Sequence, residues 1–323
     1  IITINLQGIG QLAKPGGFPN VSADLGLGDT GAGFGASWAD IDNDSDPDLY
    51  LVRSFQPNLF YRNDGNTFTE IAATLNIHDA GDGSSGIWGD SDQDGDLDLY
   101  ITNFGQPNRF YRNDGSTFTE VAAALNLDDA GDGHGAAWAD ADNDGDLDLY
   151  VANFGANKFY RNDNNTFTEL TDSLGLTDVE SSVQPAWADY DNDGDSDLFV
   201  ANSGPNRLFR NDNGQFSSVE NLFNPTDVSP SFGAAWADYE NDGDLDLYVT
   251  NFNAVNRLYL NDNGQFQSAT FILGLGDAGR GRGAVWGDFN NDGFLDLYIT
   301  NRGEANQYFR NISDSGARIF IEE

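Results

Sequence analysis

The sequence contains no cysteine and no methionine. Without cysteine there is no disulfide, no thiol nucleophile and no thiolate metal site. That leaves the compartment open, because a metal-stapled extracellular domain needs no disulfide. Histidine occurs only as His78 and His134, in different parts of the chain, so no Ser-His-Asp or Cys-His constellation assembles. No apolar run approaches the ~18 residues of a membrane-spanning helix. Basic residues are scarce, with 15 Lys plus Arg against 53 Asp plus Glu, for a formal charge of −38. That balance argues against nucleic acid and against anionic membrane surfaces, both of which call for Lys and Arg. Helix signals are poor as well, since glycine is frequent and every periodic segment is short. The chain starts at Ile1 without Met or a leader, the expectation for a processed mature form. The sequons at Asn20, Asn164 and Asn311 permit glycosylation. What is present is a hydrophobic content of 39% with 23 Phe, 12 Tyr and 6 Trp, enough to build a core.

Those six tryptophans are spaced almost evenly. Trp38, Trp88, Trp138, Trp187, Trp236 and Trp286 lie 50, 50, 49, 49 and 50 residues apart, each after a glycine-rich turn and before an acidic run. Six repeats of this kind make the chain one repeat-built domain over 1–323, with units at approximately 35–84, 85–134, 135–183, 184–232, 233–282 and 283–323 plus 1–34. Within the third unit Gly135–Ala139, Leu147–Asn153, Lys158–Arg161 and Thr166–Leu170 read as four strands. Asn63-Asp-Gly65 and Asn113-Asp-Gly115 supply the positive-φ residues of tight hairpins between third and fourth strands. Ile71–Leu75 closes one helical turn at most. An all-β propeller of four-stranded antiparallel blades follows. The simplest closure makes six blades, with the N-terminal segment Phe18–Leu27, which matches Phe118–Leu127, as fourth strand of the last. Ile1–Leu6 and Ala317–Ile321 are then spare apolar strands, available for a seventh blade or for a neighbouring molecule.

Each Trp precedes the pattern Asp-x-Asp-x-Asp-Gly-Asp-x-Asp. The loops are Asp40, Asp42, Asp44, Asp46 and Asp48; Asp90, Asp92, Asp94, Asp96 and Asp98; Asp140, Asp142, Asp144, Asp146 and Asp148; Asp189, Asp191, Asp193, Asp195 and Asp197; Asp238, Glu240, Asp242, Asp244 and Asp246; and Asp288, Asn290, Asp292, Phe294 and Asp296. They hold 28 of the 53 acidic residues. Carboxylates this crowded repel one another unless a multivalent cation joins them. Alternating oxygen donors with a glycine at position six is how a short loop wraps Ca²⁺. Side chains at positions one, three, five and nine are the expected ligands, with the backbone carbonyl of position seven. Six ions, one per blade, would bring the charge to −26. Phe294 at position seven is compatible with that set and Asn290 ligates through its amide oxygen, but the sixth site, short of charge, binds more weakly. Ser45 in place of glycine, followed by Pro47, demands another turn conformation in the first loop, and Glu240 shifts its ligand by one methylene. An EF-hand is excluded, because position twelve falls in a strand (Val151) and no helices flank. Mg²⁺ seldom accepts an all-protein cage. Paired carboxylates also serve glycosidases, but here they are placed as cation ligands.

The repeated units Trp-Ala-Asp-x-Asp-Asn-Asp-Gly-Asp-Leu-Asp-Leu-Tyr, Asn-Arg-Phe-Tyr-Arg-Asn-Asp-Gly and Thr-Phe-Thr-Glu-Val-Ala resemble the FG-GAP/VCBS family of calcium-binding propeller repeats. That family occurs in integrin α-subunit propellers, a fungal lectin and many bacterial surface proteins. The units are especially similar to repeats joined to a C-terminal ASPIC/UnbV segment, and Ala317–Ile321 sits where such a segment begins. The resemblance implies a propeller with calcium in the loop between first and second strands. Family members bind mostly proteins or glycans, and no single activity transfers with the fold.

The face opposite the acidic loops is where the repeats diverge. Four residues before each Trp stand Phe34, Ser84, His134, Val183, Phe232 and Arg282; sixteen after it stand Ser54, Phe104, Phe154, Ser203, Phe252 and Arg302. Arg280, Arg282 and Arg302, with His134, form a candidate site for an anionic or carboxylate-bearing partner. The bland alternative is that these arginines pair with Glu304 or Asp277. The six Trp are read as core between blades, and Arg62, Arg112, Arg161, Arg210 and Arg310 as structural pairs. The expectation is a secreted or cell-surface, calcium-stabilised binding or adhesion module for a protein or glycan, and not an enzyme. A filament or surface-layer subunit assembled through terminal strands is the second reading, and a lectin the third.

Overall fold

Each repeat folds into an antiparallel meander, because four short alternating runs are separated by Gly, Asn and Asp turns. The computed structural model describes residues 21–29, 31–65, 67–115, 117–178, 180–219, 229–312 and 320–322. Blade 1 is Gly33–Ala39, Asp48–Arg53, Leu59–Asn63 and Phe68–Glu70 (β1–β4), and the single turn α1 at Ala72–Leu75 follows it. Blade 2 is Gly83–Gly89, Asp98–Asn103, Arg109–Asn113 and Phe118–Glu120 (β5–β8), followed by α2 at Ala122–Leu125. Blade 3 is Gly133–Ala139, Asp148–Asn153, Lys158–Asn162 and Phe167–Glu169 (β9–β12), and blade 4 is Ser182–Ala188, Asp197–Asn202, Arg207–Asp212 and Gln215–Ser218 (β13–β16). Blade 5 is Ser231–Ala237, Asp246–Asn251, Arg257–Asp262 and Gln265–Ser268 (β17–β20); blade 6 is Gly281–Gly287, Asp296–Asn301, Gln307–Asn311 and Phe320–Glu322 (β21–β24). All six sheets run in simple sequence order. The inner strands β1, β5, β9, β13, β17 and β21 lie around the axis, each packed on the next from β1 through to β21.

The six-bladed reading holds, and its closure is corrected. The fourth strand of the last blade is β24, not the N-terminal segment. Phe320 lies opposite Asn311 in the register that Phe68, Phe118, Phe167, Phe216 and Phe266 occupy in the other blades. Its ring sits 6.1 Å from Trp286 and 5.8 Å from Tyr239, the burial that decides its place. The end of the supposedly spare strand Ala317–Ile321 is thereby used inside the molecule. Of the N-terminal segment only residues 21–29 are described, and they sit beside blade 1, where the Phe68 N–H donates to the Leu25 carbonyl at 2.9 Å. The Ile1–Leu6 strand and the Asn20 sequon lie outside the described residues. Asn311 is buried and its amide donates to the Leu295 carbonyl, so the folded blade presents no acceptor there.

Tryptophan wedges join the blades. Trp88 lies 5.9 Å from Tyr50 and 5.8 Å from Phe60 of the preceding blade, and 6.1 Å from Phe118 of its own. Trp138 repeats this with Tyr100, Phe110 and Phe167, and Trp187 with Tyr150, Phe159 and Phe216. Burying such rings between sheets supplies the main stabilising term. β21 and β1 do not pack in this way among the described residues, and Trp38 is 42% exposed.

Buried polar ties set each second strand against the connections on either side. The Tyr100 hydroxyl donates to the Leu127 carbonyl at 2.9 Å and accepts from Asn108 at 3.1 Å. Tyr50 and Tyr248 donate likewise to Ile77 and Leu275. Asn103, Asn153, Asn202 and Asn301 each donate to an aspartate of the incoming connection, respectively Asp79, Asp129, Asp178 and Asp277. In blade 1 the position is Arg53, which holds Asp29 by an ion pair at 3.0 Å.

Candidate functional site

The six acidic loops connect first to second strands, and all six share one backbone. The carboxylate at position one curls back over its own loop: Asp140 accepts from the N–H of Asp144 at 3.1 Å and of Gly145 at 3.0 Å. Asp189, Asp238 and Asp288 do the same. Position five accepts from the N–H of position seven, as Asp144 does from Asp146 at 2.9 Å. Position six has φ between +90° and +98° in the five loops with glycine. Ser45 adopts φ +75° and donates its N–H to Asp40 at 2.9 Å. The expected change of turn in the first loop therefore does not occur, because the Asp40 carboxylate still captures the turn and forces the strained conformation on serine.

Position nine is fully buried in every loop: Asp48, Asp98, Asp148, Asp197, Asp246 and Asp296. One oxygen of Asp148 accepts from the Asn162 N–H at 2.7 Å and the other from the Ala141 N–H at 3.0 Å. Even so, burial pushes this carboxyl up to about 7, as it does Asp197 and Asp246, and Asp48 and Asp98 up to about 6. Neutral hydrogen bonds are insufficient compensation for a buried charge. Position three is raised too, by burial and by the position-five carboxylate, in Asp42, Asp92, Asp142 and Asp191.

These carboxylates converge. In Asp40/Asp42/Asp44, Asp90/Asp92/Asp94, Asp140/Asp142/Asp144 and Asp189/Asp191/Asp197, one oxygen per residue lies within 4.8 Å of the others. Asp90 Oδ1, Asp92 Oδ1, Asp142 Oδ1 and Asp191 Oδ1 are buried and have no hydrogen-bond partner. An all-oxygen set with orphaned, crowded acceptors fits a hard divalent cation. The fifth and sixth loops do not meet that closeness. Asn290 turns its amide oxygen to the Asp292 N–H at 2.9 Å, and Asp296 also accepts from the Tyr308 hydroxyl at 2.8 Å.

Position seven has a separate task. Asp146, Asp195 and Asp244 each accept from the hairpin N–H of Asn164, Asn213 and Asn263 on the same face, at 2.8 to 2.9 Å. Position four was invisible in the acidic pattern. Asn43, Gln93, Asn143, Asn192, Asn241 and Asn291 all take φ between +54° and +59°, which suits asparagine. Three of these side chains bridge to the next blade's loop, Gln93 to Asp146, Asn143 to Asp195 and Asn192 to Asp244. The recurrence of an amide at the fourth place was the available signal. Arg62, Arg112 and Arg161 pair with Asp64, Asp114 and Asp163, as the register implied, while Arg210 reaches Asp191 and Asp193 inside its loop at 3.0 and 2.9 Å.

On the opposite face each inner strand opens with a register shift. It falls at Gly33/Gly35, Gly83/Ser85, Gly133/Gly135, Ser182/Gln184, Ser231/Gly233 and Gly281/Gly283. The residues so bulged are Phe34, Ser84, His134, Val183, Phe232 and Arg282. A bulge re-aims one side chain without ending the ladder. Arg282 stacks on Phe232, 4.1 Å from the ring centroid, and lies 5.4 Å from Phe252; Arg280 lies 5.8 Å from Phe252. His134 packs 4.5 Å from Phe154 and 6.2 Å from Phe104. Burial, then the charge of Arg282, pushes its imidazole down to about 4. The alternative, pairing of these arginines with Asp277 or Glu304, finds no ion pair within 4 Å among the described residues, and Arg280 Nε donates instead to Asn253 Oδ1 at 3.3 Å. Asp277 is held instead by the Asn301 amide and the Gly279 N–H.

The profile of the FG-GAP-like repeat matches residues 40–101, 90–151, 140–200, 189–249 and 238–299. No curated protein matches the chain in sequence. Among solved structures, a lectin of Agrocybe aegerita, described for specific recognition of non-reducing terminal N-acetylglucosamine, is similar. Its TM-score is 0.58 at 20% identity, over 86% of this chain and 76% of that one. BBS1N, solved in complex with ARL6DN, superposes with a TM-score of 0.54 at 12% identity, over 87% and 80% of the respective chains. At these identities the likeness is one of fold.

Proposed function

The chain belongs to the FG-GAP-like repeat family, and from that premise we propose that it is a calcium-stabilised propeller acting outside the cell as a binding or adhesion module. The observation that carries the calcium reading is the set of buried, unpartnered carboxylate oxygens in loops that already share one backbone. Asp, Asn and backbone oxygens at positions one, three, five, seven and nine would hold the ion. Bound there, it supplies the positive charge that the position-nine carboxyls lack. Calcium is then structural, and affinity in the micromolar-to-millimolar range suits an extracellular setting. No membrane-spanning helix occurs among the described residues.

The binding reading rests on the contrast between faces. One is uniform and occupied with its own carboxylates, and the other varies from blade to blade at bulged positions. We take glycans, the class named for the similar lectin, as one candidate class of partner and extracellular proteins as the other. We read the chain as a binder and not as an enzyme, since its paired carboxylates are committed to the loops. Arrays of glycans and of extracellular proteins, probed with the calcium-loaded chain and again in EDTA, test this. Calcium-dependent capture of a defined class supports the reading; no capture on either array sinks it.

A further inference from the structure

Arg53, Arg62, Arg109, Arg112, Arg161, Arg207 and Arg210 each hold a carboxylate within 4 Å. Among the described residues, Arg280, Arg282 and Arg302 hold none, in a chain with 53 acidic residues. They are also close to one another. The Arg302 N–H donates to the Arg280 carbonyl at 2.9 Å, and Arg302 adds to burial in lowering the Arg282 guanidinium below its usual value. Arg282 is half-buried between aromatic rings, at a bulge that aims it away from its own strand ladder. Across the axis His134 is neutral at physiological pH and adds no positive charge to the cluster.

Building on the binder reading above, we infer that the face opposite the acidic loops captures a peptide's C-terminal carboxylate, held by Arg282 with Arg280 and Arg302 between the Phe232/Phe252 and Phe104/Phe154 walls. A guanidinium recognises a carboxylate through paired N–H donors, and one already stacked on a ring is pre-oriented for it. The rest of the molecule narrows the choice. With a formal charge of −38 it repels any polyanion, which favours a ligand carrying a single negative charge. The walls are phenylalanine, with Phe104 and Phe154 42% and 40% exposed. They offer apolar surface and few donors for hydroxyl groups, which favours an apolar terminal residue over a sugar acid.

The test uses the full chain in calcium and a fluorescent tripeptide ending in Leu-Phe, compared with its C-terminal amide and with glucuronic acid as competitor. The acid binds at least about tenfold more tightly than the amide, and Arg282→Gln removes that preference, so that acid and amide bind alike. Should Arg282→Gln fail to fold, Arg302→Gln must reduce the preference, since a second guanidinium beside the carboxylate adds donors and charge. Equal binding of acid and amide, an unchanged preference in both variants, or binding of glucuronic acid without the peptide overturns the assignment. Array capture that survives both substitutions overturns this site alone; absence of capture by the parent chain removes the wider binder reading.

Discussion

In EDTA the protein should become more stable as the solution is acidified. The perturbation is a pair of thermal melts at about pH 7.5 and 5.5, first with chelator and then in millimolar calcium. Five position-nine carboxyls have folded-state values of about 6 (Asp48, Asp98) or about 7 (Asp148, Asp197, Asp246), against about 3.9 in an unfolded chain. A value raised by folding means stability that is present below the unfolded value and is lost as pH rises through 6 to 7. Each such proton is linked to about 1.4 kcal/mol per pH unit. For a chain of 323 residues that is about 2 °C per pH unit per group, with a ceiling of roughly 10 °C if all five respond together. In saturating calcium the sign reverses, since protons compete with the ion for the same oxygens. Asp148→Asn should flatten the EDTA slope by its share, which separates the buried carboxyl from general relief of charge repulsion. A melting temperature in EDTA that stays flat or falls on acidification would refute the reasoning, as would a slope unaltered in Asp148→Asn.

Three further outcomes follow from other parts of the molecule. Ser45→Gly removes a side chain from φ +75° and should stabilise the folded state by about 1 kcal/mol, read as a rise in the calcium-loaded melt; a drop would mean the serine is not strained. Trp138→Ala, which empties a wedge between Tyr100, Phe110 and Phe167, should cost about 3–5 kcal/mol in urea denaturation. Trp38→Ala, at a 42% exposed ring, should cost much less, and equal losses would contradict the packing described for the two. Tyr100→Phe leaves the Leu127 carbonyl and the Asn108 amide short of a partner, a loss of about 1–3 kcal/mol that the same denaturation series measures.

The blades and loops were legible because repetition fixes both strand length and loop position. Leu147–Asn153 and Lys158–Arg161 differ from β10 and β11 by a single residue at one end. Two features were hidden for physical reasons. The strand Phe320–Glu322 lacks both the Thr-Phe-Thr-Glu run of blades 1 to 3 and the Gly-Gln-Phe run of blades 4 and 5, and its register and its contacts with Trp286 and Tyr239 identify Phe320 as their equivalent. The position-four amides read as filler between aspartates, since their role depends on a left-handed backbone and on a neighbour some fifty residues away in sequence. Arg280, Arg282 and Arg302 were visible as a cluster. Whether acids would claim them depended on Asn301, which had already taken Asp277.

The register shifts that open the inner strands have a consequence for how such a molecule can diversify. A residue in a bulge stands outside the strand pairing, so its identity is decoupled from the ladder that holds the blade. Phenylalanine, serine, histidine, valine and arginine already occupy this position on one backbone in this chain. Randomising these six codons together would therefore yield a library whose members keep the scaffold and differ only in what they display.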